Sequence, residues 1–237
     1  MSGGRLRTIG LLGGMSWEST LPYYRLINEA VARRLGGLHS AKVVLYSFDF
    51  AEVERLQKAD DWEGAARLLT DAARGVERAG AECLLICTNT MHRVAPEVEA
   101  AIGIPLLHIA DATAEVVRAA GIAKVGLLGT RFTMEQPFYV QCLERHYGLE
   151  VVVPPAPERE LVHRVIFDEL CVGRVEESSR RIYREVMVGL VAQGAGGIIL
   201  GCTEIAMLVG PEDASVPIFD TTTIHAAKAA AWALGEG

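Results

Sequence analysis

The sequence predicts an α/β protein made of two similar halves, each a parallel sheet with helices on both faces. Short apolar runs of strand length alternate with longer amphipathic stretches of helix length, a pattern typical of parallel α/β sheets. Residues 8–14 (TIGLLGG) return as residues 124–130 (KVGLLGT), and Cys87 returns as Cys202, each at the end of an apolar run and before a threonine. Since landmarks recur in one order at nearly constant spacing, we expect the halves to share one topology. The four landmark pairs are Gly10 and Gly126, Gly80 and Gly194, Cys87 and Cys202, and Pro105 and Pro217.

The first half is expected to begin with a strand that starts at Arg7 and runs into glycines and Ser16. Ser16 is a good N-cap, and Glu18 is well placed for the positive end of the following helix. Gly80 is expected to cap a later helix at its C-terminus. Beyond the first strand, the expected elements are a helix at 17–35, a strand at 42–48, a helix at 60–79, the strand that ends at Cys87, a short helix at 91–100, a strand at 105–108 and a helix at 110–120.

The second half is expected to repeat this order, with a glycine-rich strand first and a cysteine-terminated strand later. Its expected elements are a strand at 124–130, helices at 134–147, 158–170 and 176–193, strands at 197–200 and 216–220, and an alanine-rich helix at 222–234.

Length and composition limit the class of protein. The 237 residues are half hydrophobic and 22% charged, enough for a sizeable core and unlike a disordered chain. The net charge of −7 includes no basic block, which argues against a nucleic-acid partner. With no apolar run of membrane-spanning length and no signal-peptide pattern, we expect a soluble cytoplasmic protein without a membrane partner. Its five cysteines are then expected to be free thiols.

Cys87 and Cys202 are the residues that we expect to carry the chemistry. Each ends a buried-looking strand, at the edge of an open sheet where ligands bind. Each is followed by polar residues and an expected helix, whose free N–H groups favour anions and lower the pKa of a thiol. If the halves face each other across a cleft, one thiolate and one thiol flank a single small substrate. Such a pair can remove a proton from one face of a Cα and return it to the other face.

The other candidate residues have simpler explanations. The remaining cysteines, Cys83, Cys142 and Cys171, are expected in the core, where free cysteines are common. His92 is a candidate base or an exposed residue at a helix start, whereas His108 and His225 are expected to be core or supporting residues.

Metal and nucleotide sites are not expected. A strand would turn Cys83 away from any tetrahedral set that included Cys87 and His92. Residues 10–14 (GLLGG) do not form the G-x-G-x-x-G pattern, and no acidic partner for a ribose follows. A glycine-lined loop that lets a small carboxylate approach the backbone explains this stretch better.

These motifs resemble the aspartate/glutamate racemase superfamily, over essentially the whole chain. The closest similarity is to bacterial aspartate/glutamate racemases that work without pyridoxal phosphate. The paired Cys-Thr-Asn-Thr and Gly-Cys-Thr-Glu motifs are specific to this superfamily. The stretches that resemble it are Gly10-Leu-Leu-Gly-Gly-Met-Ser-Trp-Glu-Ser-Thr20, Cys87-Thr-Asn-Thr-Met-His92, His108-Ile-Ala-Asp-Ala-Thr113, Leu128-Gly-Thr130 and Gly201-Cys-Thr-Glu-Ile205.

The resemblance implies two pseudo-symmetric Rossmann-like or flavodoxin-like domains, an active site in the cleft between them and a homodimer. By the same resemblance, the first domain comprises residues 1–109 and 215–237, and the second comprises 110–214. It implies that Cys87 and Cys202 are the two acid/base residues and that no cofactor or metal is needed. The residues expected to bind substrate are Met15, Ser16, Gln57, Thr88, Asn89, Thr90, Thr130 and Thr203.

One position departs from the family pattern. Some aspartate racemases have a lysine that pairs with the side-chain carboxylate of the substrate, and the corresponding position here holds Cys171. A thiol cannot donate a charge-assisted hydrogen bond as an ammonium does. Recognition of an acidic side chain would then fall to another polar residue, for which the candidates are Arg55, Gln57, Arg131 and His163.

The sequence therefore favours a cofactor-independent racemase acting on aspartate or glutamate. A racemase of broader or non-acidic preference is the first alternative. Related enzymes on the same scaffold, namely a hydantoin racemase, a maleate isomerase or a decarboxylase, are the second, since some of these use one cysteine. A non-catalytic amino-acid sensor is the third, and the retention of both thiols argues against it.

Overall fold

Two compact units make up the chain in this computed structural model, which describes residues 5–236. One unit comprises residues 5–109 and 225–236, and the other is the continuous segment Ala110–Ile224. Each unit contains one parallel sheet and the helices that connect its strands. The predicted α/β class with two parallel-sheet domains is confirmed.

The first unit holds a three-stranded parallel sheet in the order β2-β1-β3. A short 3₁₀ helix, Thr90–Val94, precedes its fourth helix. The elements are β1 (Thr8–Gly13), α1 (Trp17–Leu35), β2 (Lys42–Ser47), α2 (Phe50–Lys58), α3 (Trp62–Arg78), β3 (Cys83–Ile86), α4 (Ala95–Glu99) and, at the C-terminal end of the chain, α10 (Thr221–Leu234), of which residues 225–234 belong to this unit.

Side chains along β1 point alternately to the two faces of the sheet and enter a different apolar cluster on each face. Leu12 joins an apolar cluster with α3, whereas Ile9 and Leu11 join a second cluster with α1 and α10. Gly10 lets α3 pack closely, since a Cβ there would lie 2.5 Å from a methyl of Val76. The central strand is thus buried on both faces, as expected for a parallel sheet.

The second unit holds a four-stranded parallel sheet in the order β5-β4-β6-β7. A 3₁₀ turn at Leu170–Val172 lies between two of its helices, and two more, Ile205–Met207 and Pro211–Asp213, lie between its last two strands. The elements are α5, which begins at the boundary (Ile109–Ala119), β4 (Lys124–Gly129), α6 (Arg131–Glu135), α7 (Pro137–Gln141), β5 (Glu150–Val152), α8 (Ala156–Asp168), α9 (Glu177–Ala192), β6 (Ile198–Gly201) and β7 (Ile218–Asp220).

The domain division differs from the expected one at its second boundary. Residues 215–224 were expected in the first domain, but β7 lies beside β6 in the second sheet, with Ile198 opposite Ile218. Backbone pairing therefore holds this segment in the second unit, and the chain returns to the first unit only at His225.

Several local elements also differ from the expected ones. The strand at 105–108 is reduced to a single bridge between Leu84 and Leu106, because the Ile109 N–H that would extend the pairing donates to His92 Nε2 instead. The expected helix at 134–147 breaks at Pro137, since Gln136 before it adopts an extended conformation. Two elements, α2 and β5, were not expected.

No helix among residues 5–236 is long and apolar enough to cross a bilayer.

Candidate active site

The Cys87 site lies at the carboxyl edge of the first sheet. The backbone N–H of Cys87 donates to the carbonyl of Leu12 at 2.9 Å, so this residue continues the pairing of β3 with β1. Gly14 follows β1 with a φ of +82°, and a Cβ there would lie 2.4 Å from the carbonyl oxygen of Phe48. Only glycine fits this turn, which brings the loop after β1 to the same edge as Cys87.

The loop after β1 is anchored to the first turn of α1. The Gly14 N–H donates to Thr20 Oγ1 at 2.9 Å, and the Thr20 hydroxyl donates to the Ser16 carbonyl at 2.8 Å. Met15 and Ser16, both expected to bind substrate, are almost fully buried. Met15 packs in the apolar cluster with α3, so its side chain contributes to the core.

The Cys87 thiol is fully buried in the apolar cluster formed by β1, β3, α1 and α10. Burial raises the pKa of this thiol well above its ordinary value. The expected lowering by a helix N-terminus is therefore wrong for Cys87. A 3₁₀ helix follows the thiol in place of a long α-helix, and the Cys87 N–H is already bonded within the sheet.

His92 bridges the loop after Cys87 to the start of α5. Its Nδ1 lies 2.8 Å from the Thr88 carbonyl, and its Nε2 accepts the Ile109 N–H at 3.2 Å. An acceptor Nε2 requires the proton on Nδ1, so this imidazole is neutral and uses both nitrogens. Burial, with His108 and His225 as smaller causes, lowers the pKa of His92. The residue is buried, not exposed, and its two ring nitrogens tie the loop after Cys87 to the start of α5.

His225 holds the C-terminal helix in the same way. The Tyr23 hydroxyl lies 2.9 Å from His225 Nδ1, and His225 Nε2 lies 2.7 Å from the Leu107 carbonyl. The carbonyl can only accept, so Nε2 carries the proton and Nδ1 accepts from Tyr23. Burial lowers the pKa of His225 to about 3. His225 is therefore a neutral core residue.

The other predicted residues of this unit lie around the same edge and are buried. Thr88, Asn89 and Thr90 follow Cys87 directly. Gln57 reaches in from α2, where its Nε2 donates to Met91 Sδ at 3.0 Å. The buried Gln57 Oε1 accepts no hydrogen bond from residues 5–236, so it is an acceptor available to a substrate N–H group.

The Cys202 site lies at the carboxyl edge of the second sheet. Gly129 of β4 pairs with Gly201 of β6, and a Cβ on Gly129 would lie 2.8 Å from the Gly201 carbonyl oxygen. This close approach brings the next residues, Thr130 and Cys202, to the same edge. Thr130 also caps α6, with its Oγ1 accepting the Thr133 N–H at 3.3 Å.

Glu204 contacts the thiol of Cys202 directly. The Cys202 Sγ lies 3.0 Å from Glu204 Oε2, and the Thr203 hydroxyl donates to the same oxygen at 2.9 Å. All three residues are buried. Burial is the main cause that raises the pKa of Cys202, and Glu204 and Cys171 raise it further. The expected lowering is therefore wrong for this thiol also, first because it is buried and second because a carboxylate faces it.

Cys171 belongs to the surroundings of the Cys202 site. It lies half-buried in the 3₁₀ turn after α8, where burial and Glu204 raise its pKa. Of the alternative polar residues, Arg131 and His163 contact other residues of the second unit. Arg131 pairs with Glu160 at 3.1 Å, and its N–H donates to His163 Nδ1 at 3.4 Å.

Arg55, the remaining alternative, is exposed on α2 in the first unit.

Comparison with known proteins gives a consistent answer. A family model described as Asp/Glu/Hydantoin racemase matches residues 12–229. A structure of a Yersinia pestis protein assigned as an Asp/Glu racemase is 58% identical, covering 96% of this chain and 99% of its own, with a TM-score of 0.89. A structure of an aspartate racemase homologue from Pyrococcus horikoshii OT3 is 38% identical over the same shares, with a TM-score of 0.82.

The chain belongs to the Asp/Glu/Hydantoin racemase family. Racemases are isomerases, so this chain is an isomerase. A more distant relative is the broad specificity amino-acid racemase RacX of Bacillus subtilis (strain 168), 22% identical over 90% of this racemase and 92% of its own length.

Sequence reasoning undervalued one residue of this racemase. Glu204 was noted as part of a motif but was not expected to contact a thiol. A sequence signal was available, since the position two residues after Cys202 holds a carboxylate whereas the equivalent position after Cys87 holds Asn89. The two thiols therefore have chemically different neighbours.

Proposed function

We propose that this protein is a cofactor-independent amino-acid racemase that moves the Cα proton of its substrate between Cys87 and Cys202. The observation that carries this proposal is the repeated placement of one buried thiol at the carboxyl edge of each sheet. Inversion at Cα requires a base on one face and an acid on the other. Two equivalent strand ends supply two groups that exchange these roles when the other enantiomer binds.

Burial of both thiols suits them to this reaction. Each is held neutral at rest, since burial raises both pKa values, and a neutral thiol is a proton donor. A thiolate formed in such surroundings is a stronger base than one in water. Burial therefore narrows the difference in pKa between the thiol and the weakly acidic Cα–H of the substrate. The thiolate takes the Cα proton and the bond electrons pass towards the substrate carboxylate. The opposite thiol then donates its proton to Cα.

The polar groups at each edge are proposed to bind the amino acid. Gln57 Oε1 is a buried acceptor suited to the substrate ammonium. The remaining proposed contacts come from small hydroxyl and amide side chains next to the thiols, with the backbone near Met15. These residues are Ser16, Thr88, Asn89, Thr90, Thr130 and Thr203.

Aspartate and glutamate are the substrates that we propose first, because the 38% identical relative is an aspartate racemase homologue. A broad-specificity racemase is the second candidate. It is favoured by Cys171, which stands where some aspartate racemases have a lysine, and by the carboxylate of Glu204 beside Cys202. Neither Cys171 nor Glu204 offers a positive charge that could pair with the carboxylate of an acidic substrate side chain.

Proton NMR in D₂O tests both the activity and the substrate class. Without added pyridoxal phosphate, we expect the Cα proton of L- or D-aspartate or glutamate to be lost while optical rotation decays to zero. Exchange confined to neutral or basic amino acids would keep the two-thiol reaction and establish the second candidate. No exchange with any amino acid would contradict the proposal and favour the isomerase and decarboxylase relatives.

We also place the protein in the cytoplasm, because all five cysteines are free thiols and a reducing compartment preserves them.

We infer further that the protein is a homodimer and that an apolar face of the first unit is the interface. This apolar face comprises Trp17, Leu21 and Tyr24 of α1 with Leu45 of β2, each between 45% and 58% exposed. The α1 residues share one helical stripe, because their spacing of four and three residues places them on one side.

This stripe continues towards β2. Asn28 follows Tyr24 by one turn, and its Oδ1 accepts the N–H of Ala41, the residue before β2. Leu45 lies on the same side of the sheet as α1, because a Cβ on Gly13 would meet both Thr20 of α1 and Leu45. The apolar face therefore continues from α1 to Leu45.

A second copy of the chain is the occupant that fits this apolar face. The strand β2 lies at the edge of its sheet, so a copy related by a two-fold axis can pair with it in antiparallel fashion. Two half-exposed aromatic rings and two leucines offer on the order of 400 Å² of apolar surface, about half of the roughly 800 Å² that each partner buries in a stable dimer.

Leu21→Asp is expected to separate the dimer, because it places a charge at the centre of the apolar face. Light scattering after size exclusion should give twice 25.6 kDa for the native protein and 25.6 kDa for the variant. Val188→Asp is the matched control, since Val188 is 66% exposed on α9 of the other unit and should leave the mass unchanged. A native monomer, or a dimer that survives Leu21→Asp, would contradict this interface.

A further inference from the structure

We propose that Glu204 is the proton acceptor that converts Cys202 to its reactive thiolate, and that Cys87 has no equivalent partner. This inference rests on the proposed two-thiol racemisation and adds a division of labour to it. The pair is defined by the 3.0 Å contact between Cys202 Sγ and Glu204 Oε2 in the buried Cys202 site.

Charge explains why a carboxylate suits this place. With Glu204 ionised and Cys202 neutral, the pair carries one negative charge. After the thiol proton moves to Oε2, the pair again carries one negative charge, now on sulfur. Proton transfer within the pair thus adds no buried charge, whereas loss of the proton to solvent would leave two anions in contact.

The other polar groups near Cys202 are committed elsewhere. The Thr203 hydroxyl donates to Glu204 Oε2 at 2.9 Å and so helps to hold that oxygen against the thiol. The Tyr183 hydroxyl donates to the Val162 carbonyl at 3.0 Å, and burial raises its pKa. Burial also raises the pKa of the nearby Cys171 thiol, so neither group is a suitable acceptor.

The Cys87 site lacks this arrangement. The residue equivalent to Glu204 is Asn89, and an amide does not accept a proton from a thiol at neutral pH. Burial raises the pKa of Cys87, and no carboxylate among residues 5–236 contributes to this rise. The sequence repeat therefore produces similar backbones with chemically unequal thiols.

Racemisation rates cannot reveal this inequality by themselves. The two enantiomers have equal free energies, so any variant must lower kcat/KM equally in both directions.

Elimination from a β-chloro amino acid needs only one base, so it is not subject to this symmetry. In a β-chloro amino acid, removal of the Cα proton by one thiolate forms the Cα=Cβ bond and expels chloride. The product then hydrolyses to a 2-oxo acid and ammonia.

The experiment measures 2-oxo acid formation from L- and D-3-chloroaspartate, or from L- and D-β-chloroalanine if the enzyme exchanges neutral amino acids. Cys87→Ser and Cys202→Ser should each abolish elimination from a different enantiomer, which assigns each thiol to one face. Glu204→Gln, which keeps the shape of the side chain, should then lower elimination about 100-fold for the enantiomer that depends on Cys202. The same variant should change elimination from the other enantiomer by less than about threefold.

The Glu204→Gln variant carries its own folding control. If it still eliminates chloride from the enantiomer that depends on Cys87, the variant protein is folded. Glu169→Gln is the matched control, since this carboxylate contacts Ser179 at 2.6 Å and should favour neither enantiomer. Equal losses for both enantiomers in Glu204→Gln, or no loss, would overturn the inference while leaving the two-thiol reaction intact. If the two serine variants fail to separate the enantiomers, the proposed function fails and this inference fails with it.

Discussion

Cys87→Ser and Cys202→Ser are each expected to lower the rate of racemisation by at least about 1000-fold, since each turnover needs one thiolate and one thiol. A serine hydroxyl is a far weaker acid than a thiol, so it neither ionises to remove the Cα proton nor competes as a donor. Because the two residues act as a unit, the double variant should be scarcely slower than either single variant.

The control for these variants comes from the same strand. Cys83 is as fully buried as Cys87 and packs in the same apolar cluster, so Cys83→Ser measures the cost of burying a hydroxyl there without touching the chemistry. That cost is about 1–3 kcal/mol of unfolding free energy. Polarimetry gives the rates, and chemical unfolding gives the stabilities. Near-normal turnover by either Cys87→Ser or Cys202→Ser would disprove the two-thiol reaction.

Acid is expected to destabilise the first unit through its two buried imidazoles. His92 and His225 are neutral in the fold, and burial holds the pKa of both below the ordinary value of 6.5. Below pH 6.5 the unfolded chain binds protons that the folded chain does not. The stabilising effect is therefore complete above pH 6.5 and is lost as the pH falls, for His225 down to about 3. Each imidazole should lower the unfolding free energy by about 1.4 kcal/mol per pH unit in this range.

Glutamine variants separate this titration from loss of contacts. In His225→Gln the amide oxygen can accept from Tyr23 and the amide nitrogen can donate to the Leu107 carbonyl, so both bonds are kept without a titrating group. Urea unfolding at pH 7, 6 and 5 gives the unfolding free energy at each pH. In this variant, the slope of the unfolding free energy against pH should correspond to one proton fewer than in the native protein. His39→Gln, at an exposed position, should leave stability unchanged. An unaltered slope in His225→Gln would show that this imidazole does not supply the pH dependence.

Strands and helices with strong periodicity were predictable, and those that depend on distant pairing were not. The helix at 17–35 matches α1 residue for residue, because Ser16 and two glycines mark its ends in the sequence. Ser16 stands at the N-cap position as expected, but its side chain makes no capping hydrogen bond. The prediction of a strand at 105–108 was wrong, since the Ile109 N–H that would extend its pairing bonds the side chain of His92, a contact that an apolar run does not reveal. The place of residues 215–224 depended on β7 pairing with β6, and the sequence did not show which sheet that strand would join.

The positions of the two thiols in the fold were predictable from sequence, because a strand that ends in Cys-Thr places its sulfur at the edge of the sheet. Their acidity was not, because it depends on how much of the unit covers them. The neutral state of His225 depends on Tyr23 and Leu107, which lie 202 and 118 positions away in the chain. Such partners meet only after the first unit has closed, so spacing along the sequence carries no sign of them.

The return of the chain to the first unit at His225 has a consequence for synthesis on the ribosome. Ala226, Ala229 and Ala233 of α10 complete the apolar cluster around Tyr23 and Cys87, and the Arg7 N–H donates to the Ala233 carbonyl at 3.1 Å. These residues are among the last to be translated. The second unit is one continuous segment, so it can complete its fold while the first unit still lacks the part of α10 that covers its core. A message truncated by only a dozen codons would release a chain whose Cys87 cluster has no α10 cover.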